Sequence, residues 1–440
     1  MPVAIPHAAL PMVSSGRDRP AGRERKVILM TRVAAAPMSV TNLVDPVMYY
    51  NPYPRYAYLR EHEPVSRVKA PMMVRGTGYM VTRHADVLAL HCDNRFSTDA
   101  TKYGGAAKFN WILPQTLKLL GETMVFKDDP EHKRLRTLVH QAFTPKLVAG
   151  MADQVTEIAA ELAHELARKK GIDLVEDFAV QLPLRVISSM LGVGDTDRER
   201  FHHLVGKVTE DSGTGPIGMI MRMPAANKLL AFIQHLADDA RAHPDDGLIS
   251  AIVEAREDGD RLTEREVLGM IFLLLLAGHD TTSNLIGSSM LALARNPEQL
   301  QLLREDESLW PTAIEELLRY TTPVACAAPR IAVEDVEFAG TRIPQGSQVI
   351  GMIISANRDR ECYDDPESLD LTRTPNKHMS FAFGAHYCLG HHLARLEGRI
   401  ALQTLLNRFD RLEVTAADTD LRYKATLSLR GLKALPMRVG

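Results

Sequence analysis

The chain has 440 residues, 45 % hydrophobic and 24 % charged, a balance that excludes a disordered or fibrous protein. Fifty-two basic against fifty-five acidic side chains leave a net charge of −3, which argues against nucleic-acid binding through bulk charge, because that footprint is strongly basic. The four cysteines, Cys92, Cys326, Cys362 and Cys388, are too few and too scattered for a disulfide framework and point to a reducing, cytoplasmic setting.

Residues 1–38 are rich in Pro, Ala and Arg without periodicity and predict a disordered extension ahead of a single domain over 39–440. The apolar run in that extension, residues 27–30, is shorter than the roughly 7–15 residues of a secretory signal. Strand-like stretches follow at 65–68 and 78–82. Residues 145–170 predict one helix, because Leu147, Met151, Val155, Ile158, Leu162 and Leu166 recur at helical spacing. The helical pattern continues over 222–242, 246–258, 263–294 and 296–306, with Thr263 and Glu266 forming a capping box at the start of the longest. Residues 268–278 are the most apolar run, well short of the about twenty needed to cross a bilayer; a buried core helix is expected and no membrane anchor. Strands at 333–338 and 347–354 and a last helix over 389–409 close the pattern. The fold class expected is mainly α with a small β portion (α+β).

The chemistry concentrates in Phe381-Ala-Phe-Gly-Ala-His-Tyr-Cys-Leu-Gly390. Gly384 permits a tight turn and Gly390 a close backbone approach. The helix beginning near Leu389 points its positive end at Cys388, which favours a thiolate able to act as nucleophile or metal ligand. An isolated cysteine in such a place is more often a small buried hydrophobe.

The pattern Phe-x-x-Gly-x-x-x-Cys-x-Gly resembles the haem-thiolate loop of the cytochrome P450 family, and three further segments follow that family's order. Ala277-Gly-His-Asp-Thr-Thr282 resembles its oxygen-activation segment, Glu316-Leu-Leu-Arg319 its Glu-x-x-Arg pair, and Asp129-Pro-Glu-His-Lys-Arg-Leu-Arg136 the helix that meets the haem propionates. The resemblance runs from about residue 39 to the end. It implies a single P450-type domain enclosing haem b, with Cys388 as the metal ligand. A thiolate on haem iron favours O–O cleavage.

Further roles follow from the same resemblance. Gly278, beside Ala277, leaves room for dioxygen, Thr281 hydrogen-bonds at the oxygen site, Asp280 feeds protons inward and Thr282 shares the hydroxyl role. The competing reading of such a threonine is a bond back to a carbonyl one turn earlier, which only bends the helix. His132, Arg136, Arg330 and His386 hold the propionates, and Phe381, Gly384 and Gly390 shape the loop. Glu316 and Arg319 form a buried structural pair with Arg373. The sequence departs from the family at Ala382, where most members carry Gly; if that residue has φ > 0, Ala costs roughly 1 kcal/mol.

The expected function is oxygen insertion from O2 into a hydrophobic small molecule, with electrons from a ferredoxin and its reductase. A basic face of Lys133, Arg134, His391, Arg395 and Arg399 is a candidate docking surface for the acidic carrier. Pocket-facing stretches are expected at 103–120, 217–223, 322–328 and 427–432. The other three cysteines are read as packing residues. Two rivals remain, a peroxide-driven peroxygenase, which has little need of Asp280 and Thr281, and a non-catalytic haem-binding sensor.

Overall fold

Alternating apolar residues in short strands build a mixed six-stranded sheet in the computed structural model, which describes residues 40–440 apart from 44, 70–76, 104–117, 120, 210–215, 246, 258 and 259. The extension expected over 1–38 and most of the stretch 103–120 lie outside the described residues. The strands are β1 (Thr41–Asn42), β2 (Val65–Lys69), β3 (Thr77–Val81), β4 (Phe96–Ser97), β5 (Arg330–Ala332) and β6 (Gln348–Gly351). Their order is β1-β2-β3-β6-β5-β4. Strand β6 runs parallel to β3, with Val349 opposite Tyr79, and antiparallel to β5. A second sheet joins Leu412–Val414, Pro436–Val439 and Ile172–Asp173.

The rest is mainly helical, as the periodicity predicts. We label α1 (Glu131–Ala142), α2 (Ala152–Leu166), α3 (Gln181–Met190), α4 (Asp195–Thr209), α5 (Glu264–Arg295), α6 (Trp310–Thr321) and α7 (His391–Arg408). Helix α5 opens on the expected capping box, Thr263 accepting from the Glu266 backbone and Glu266 from that of Thr263. It is buried on most of its circumference and packs against α3, α6 and α7. Helix α2 buries Val155, Ala159, Leu162 and Leu166 against α3 and α7.

Several predicted boundaries differ. The strand expected over 347–354 stops at Gly351 and gives way to a helical turn, Ile353–Ala356. That over 333–338 covers Val336–Phe338, and the helix over 246–258 is Leu248–Glu254. Residues 145–170 form two helices, Pro145–Gly150 and α2, hinged at the buried Met151. Gly150 explains the break, since glycine inside a helix costs about 1 kcal/mol relative to alanine. The helix expected at 222 begins upstream, spanning Pro216–Ala242 with Pro224 in its interior.

Candidate active site

Helix α6 and the cysteine loop are joined through one buried amide. Thr322 ends α6 in the left-handed region (φ 44), and its hydroxyl donates to the Arg319 carbonyl at 2.7 Å. Asn357, fully buried, donates to the hydroxyls of Thr322 at 3.0 Å and Ser380 at 2.9 Å. Its carbonyl accepts from the Met379 backbone at 2.8 Å. Beneath it, Glu316 and Arg319 are both fully buried and doubly hydrogen-bonded at 2.7 Å. Arg373 and Asn376 complete the carboxylate at 3.2 and 3.0 Å, while Arg319 also donates to the carbonyls of Asn357, Pro366 and Ser368. The pair and its third member are therefore structural, and leave neither buried charge short of partners.

The loop then turns sharply. Ala382 has φ 58 and Gly384 φ 73. A Cβ at Gly384 would lie 3.0 Å from the His91 carbonyl oxygen, so this glycine is required on both grounds. The Cys388 amide donates to the Phe381 carbonyl at 2.9 Å, closing the loop.

Loop and α5 face each other across a cavity of about 310 Å³. Ala277, Gly278, Thr281 and Thr282 line it from α5, and Phe381, His386, Cys388 and Gly390 from the loop. His132, Arg136 and Arg330 enter from the side, and no carboxylate is in the lining. His132 Nε2 is buried with no hydrogen-bond partner, and its ring lies 4.3 Å from that of His386. Burial, reinforced by His132 and Arg330, pushes His386 down to about 3, and burial takes His91 to about 4. The half-buried Arg136 guanidinium makes no hydrogen bond or ion pair among the described residues. Arg330 is held by the carbonyls of Phe96 at 3.0 Å and His91 at 3.4 Å.

Several expectations need correction. Gly384 shapes the loop without lining the cavity, and Asp280 does not line it either. Asp280 instead faces Lys424 Nζ and His279 Nδ1, each at 3.5 Å. Burial raises its carboxyl, but the contacts with His279 and the Lys424 ammonium outweigh it and hold the group below the ordinary range. The Thr281 hydroxyl donates back to the Ala277 carbonyl at 2.6 Å. The Cys388 thiol is pushed up by burial, against the weaker pull of the Gly390 amide, Arg136 and Arg395; α7 begins only at His391, so its end does not by itself make a thiolate. Cys326 is a buried packing residue, whereas Cys92 is exposed. In the basic face, Arg134 is taken up by Glu131, Asp260 and Glu266, and Arg395 by Glu315 at 2.6 and 2.8 Å. The stretch 427–432 lies behind the cavity wall, while Pro323, Val324, Ala327 and Ala328 form that wall. Thr98, His91 and Glu397 went unnoticed in the sequence, where no motif surrounds them.

The family model described as "Cytochrome P450" matches residues 219–430. The polyketide biosynthesis cytochrome P450 PksS of Bacillus subtilis is 36 % identical over 88 % of this chain and 96 % of its own. Its solved structure superposes with a TM-score of 0.83 over 90 % of this chain and 99 % of that one. The 6-deoxyerythronolide B hydroxylase of Saccharopolyspora erythraea is 36 % identical over 91 % and 99 % of the two chains. The chain belongs to the cytochrome P450 family. It is thus an oxidoreductase of the bacterial P450 monooxygenases, a family built around haem iron.

The residues of this P450 fit that group. Cys388, the one cysteine in the cavity lining, lies opposite a hydroxyl-bearing helix, and the orphaned His132 Nε2 and the Arg136 guanidinium, without a partner among the described residues, are donors suited to an anion. No helix among the described residues is long and apolar enough to cross a membrane.

Proposed function

We propose that this P450 is a cytoplasmic monooxygenase, with residues 39–440 as one haem-thiolate domain, that inserts one oxygen atom of O2 into a hydrophobic small molecule by hydroxylation or epoxidation. The observation carrying this reading is Cys388 facing Ala277, Gly278, Thr281 and Thr282 across one cavity whose ionisable lining is basic. When bound, haem b supplies oxygen activation, with the cysteine thiolate donating electron density to iron.

The chain's own residues do the rest. Cys388 would hold the haem iron, which would favour the thiolate over the thiol that burial otherwise retains. His132, Arg136, Arg330 and His386 hold the propionate carboxylates through charge-assisted hydrogen bonds. Phe381 and Gly390 bound the loop beside them. A Cβ at Gly278 would meet nothing within 4 Å, so α5 leaves open space there. Thr281, whose hydrogen is committed to Ala277, offers oxygen lone pairs that order water and accept protons. Thr282 is a second hydroxyl and Asp280 the carboxylate that moves protons from solvent toward them. Per turnover, two electrons and two protons are consumed, one oxygen atom enters the product and the other leaves as water.

Electrons come singly from a ferredoxin. The exposed Lys133, with Arg399, is the part of the basic face left without ion pairs among the described residues. The relatives named for a polyketide and for 6-deoxyerythronolide B, together with an apolar cavity, favour a mid-sized macrolide or polyketide as substrate. The test is the spectrum of the reduced, CO-bound protein, followed by product formation with a ferredoxin, its reductase and a macrolide library. A reduced CO complex lacking the thiolate band overturns the reading. One observation favours peroxide-driven turnover as a second reading, namely that Thr281 is bonded back to Ala277 while Asp280 faces out of the cavity. Product from hydrogen peroxide alone, and none from the electron-transfer pair, would establish it.

A further inference from the structure

Asp280 and Asn284 are four residues apart on α5 and so share one face of that helix. A hairpin near the C-terminus lies on that face. The Lys424 amide donates to the Gly431 carbonyl at 2.9 Å, the Lys433 amide to the Arg422 carbonyl at 2.8 Å, and Tyr423 pairs with Leu432. Lys424 and Gly431 are therefore cross-strand partners, and they land on the two helix residues in register. Lys424 Nζ reaches Asp280 Oδ1 at 3.5 Å. A Cβ at Gly431 would fall 1.8 Å from Asn284 Oδ1 and 2.2 Å from its Cγ, so any larger residue would lift the hairpin off α5. The hairpin is also tied to the cavity wall, through Arg430 N to Pro323 O and Ala325 N to Ser428 O, both 2.8 Å.

The ion pair sits at the edge of solvent, with side-chain exposures of 19 % for Lys424 and 16 % for Asp280. The other charged or titratable group facing the carboxylate is His279 of α5. Beyond it lies His202 of α4, with Arg185 and Arg198 around it. Burial works against the carboxylate here, and the ammonium of Lys424 and the imidazole of His279 offset that cost.

We propose that Lys424 is a positioning residue for proton delivery in this P450, holding the Asp280 carboxylate ionised on the solvent side of α5, where it is loaded before it serves the hydroxyls of Thr281 and Thr282. The proposal rests on the reading of Asp280 as the proton relay. In the transfer, a carboxylate oxygen takes a proton from water and gives it to the hydroxyl side, and the carboxylate returns to Lys424. No electron moves.

The experiment follows the carboxyl stretch of Asp280 in the holoenzyme by infrared difference spectroscopy across pH, assigned by its loss in Asp280→Asn. Oxygen consumption with NADH, a ferredoxin and its reductase is measured over the same range. In Lys424→Met the protonation midpoint should move to higher pH and the pH profile of oxygen consumption should move with it. Lys424→Arg should restore both to wild type, which a purely structural role for the side chain would not require. Equal midpoints in wild type and Lys424→Met overturn the proposal. If the midpoint moves in Lys424→Met but Asp280→Asn consumes oxygen at the wild-type rate, the relay reading fails and the ion pair stands as a structural feature alone.

Discussion

The imidazole rings of His132 on α1 and His386 on the cysteine loop stand 4.3 Å apart, tilted by 44°. Two nitrogen-rich rings in that position, with Arg136 and Arg330 beside them and no carboxylate in the cavity, make a basic cradle. Arg136→Ala should leave one propionate short of a partner, a loss of roughly 1–3 kcal/mol. Haem transfer to apomyoglobin should accelerate by about 5- to 150-fold. Arg330→Ala should do the same and also lower stability, because it frees the carbonyls of Phe96 and His91.

Cys388→Ala should abolish the thiolate signature of the CO complex. Serine or alanine at Cys92, Cys326 or Cys362 should leave that spectrum unchanged, since none of the three lines the cavity. A spectrum lost in one of these and kept in Cys388→Ala would reverse the ligand assignment.

Thr281→Ala removes one hydroxyl that already satisfies the Ala277 carbonyl. Electron-donor consumption should continue while product falls and hydrogen peroxide accumulates. Thr282 is buried one residue on, so the double variant is the control. Unchanged product per donor consumed in the double variant would reduce both residues to helix packing.

Glu397 of α7 is buried against Thr282 with one carboxylate oxygen lacking a partner. Burial raises its carboxyl from 4.5 to about 8. Between those values the native protein holds a proton that the unfolded chain has released, so this group makes stability fall as pH rises across the window. Glu397→Gln should remove that slope and be the more stable protein near the upper end. Urea midpoints at the two ends of the window measure it, and parallel curves for wild type and variant would refute it.

Ala382 occupies a left-handed conformation, φ 58. Ala382→Gly should relieve roughly 1 kcal/mol of backbone strain in the cysteine loop and slow haem loss. Faster haem loss would show that the methyl group contributes more by packing than it costs in conformation.

Legibility in the sequence followed local physics. The capping box of Thr263 and Glu266, the apolar run within α5 and the spacing of α2 depend on neighbours in the chain, and each appears where the pattern places it. The cysteine loop is legible in part because Gly384 is forced by its turn geometry, whereas Gly390 has an ordinary φ and open space around it. What the sequence withheld depends on distant partners. The direction of Asp280 is decided by Lys424, and the neutralisation of Arg134 by Asp260 and Glu266. Glu397 lies in a plain helical stretch and becomes notable only once α5 covers it. The state of the Cys388 thiol is hidden from the sequence for the same reason: the desolvation that dominates it is set by the surrounding fold.

The basic lining has a cost for the chain before it meets its prosthetic group. With Arg136 and Arg330 and no carboxylate in that lining, the cavity carries positive charge, which loading the dianionic group offsets as well as filling space. Saturation with haem should then act on yield as much as on activity, by mass action on the folded state. Cells grown without a haem precursor should accumulate less of this protein, and what they hold should be cut by proteases first around the cysteine loop.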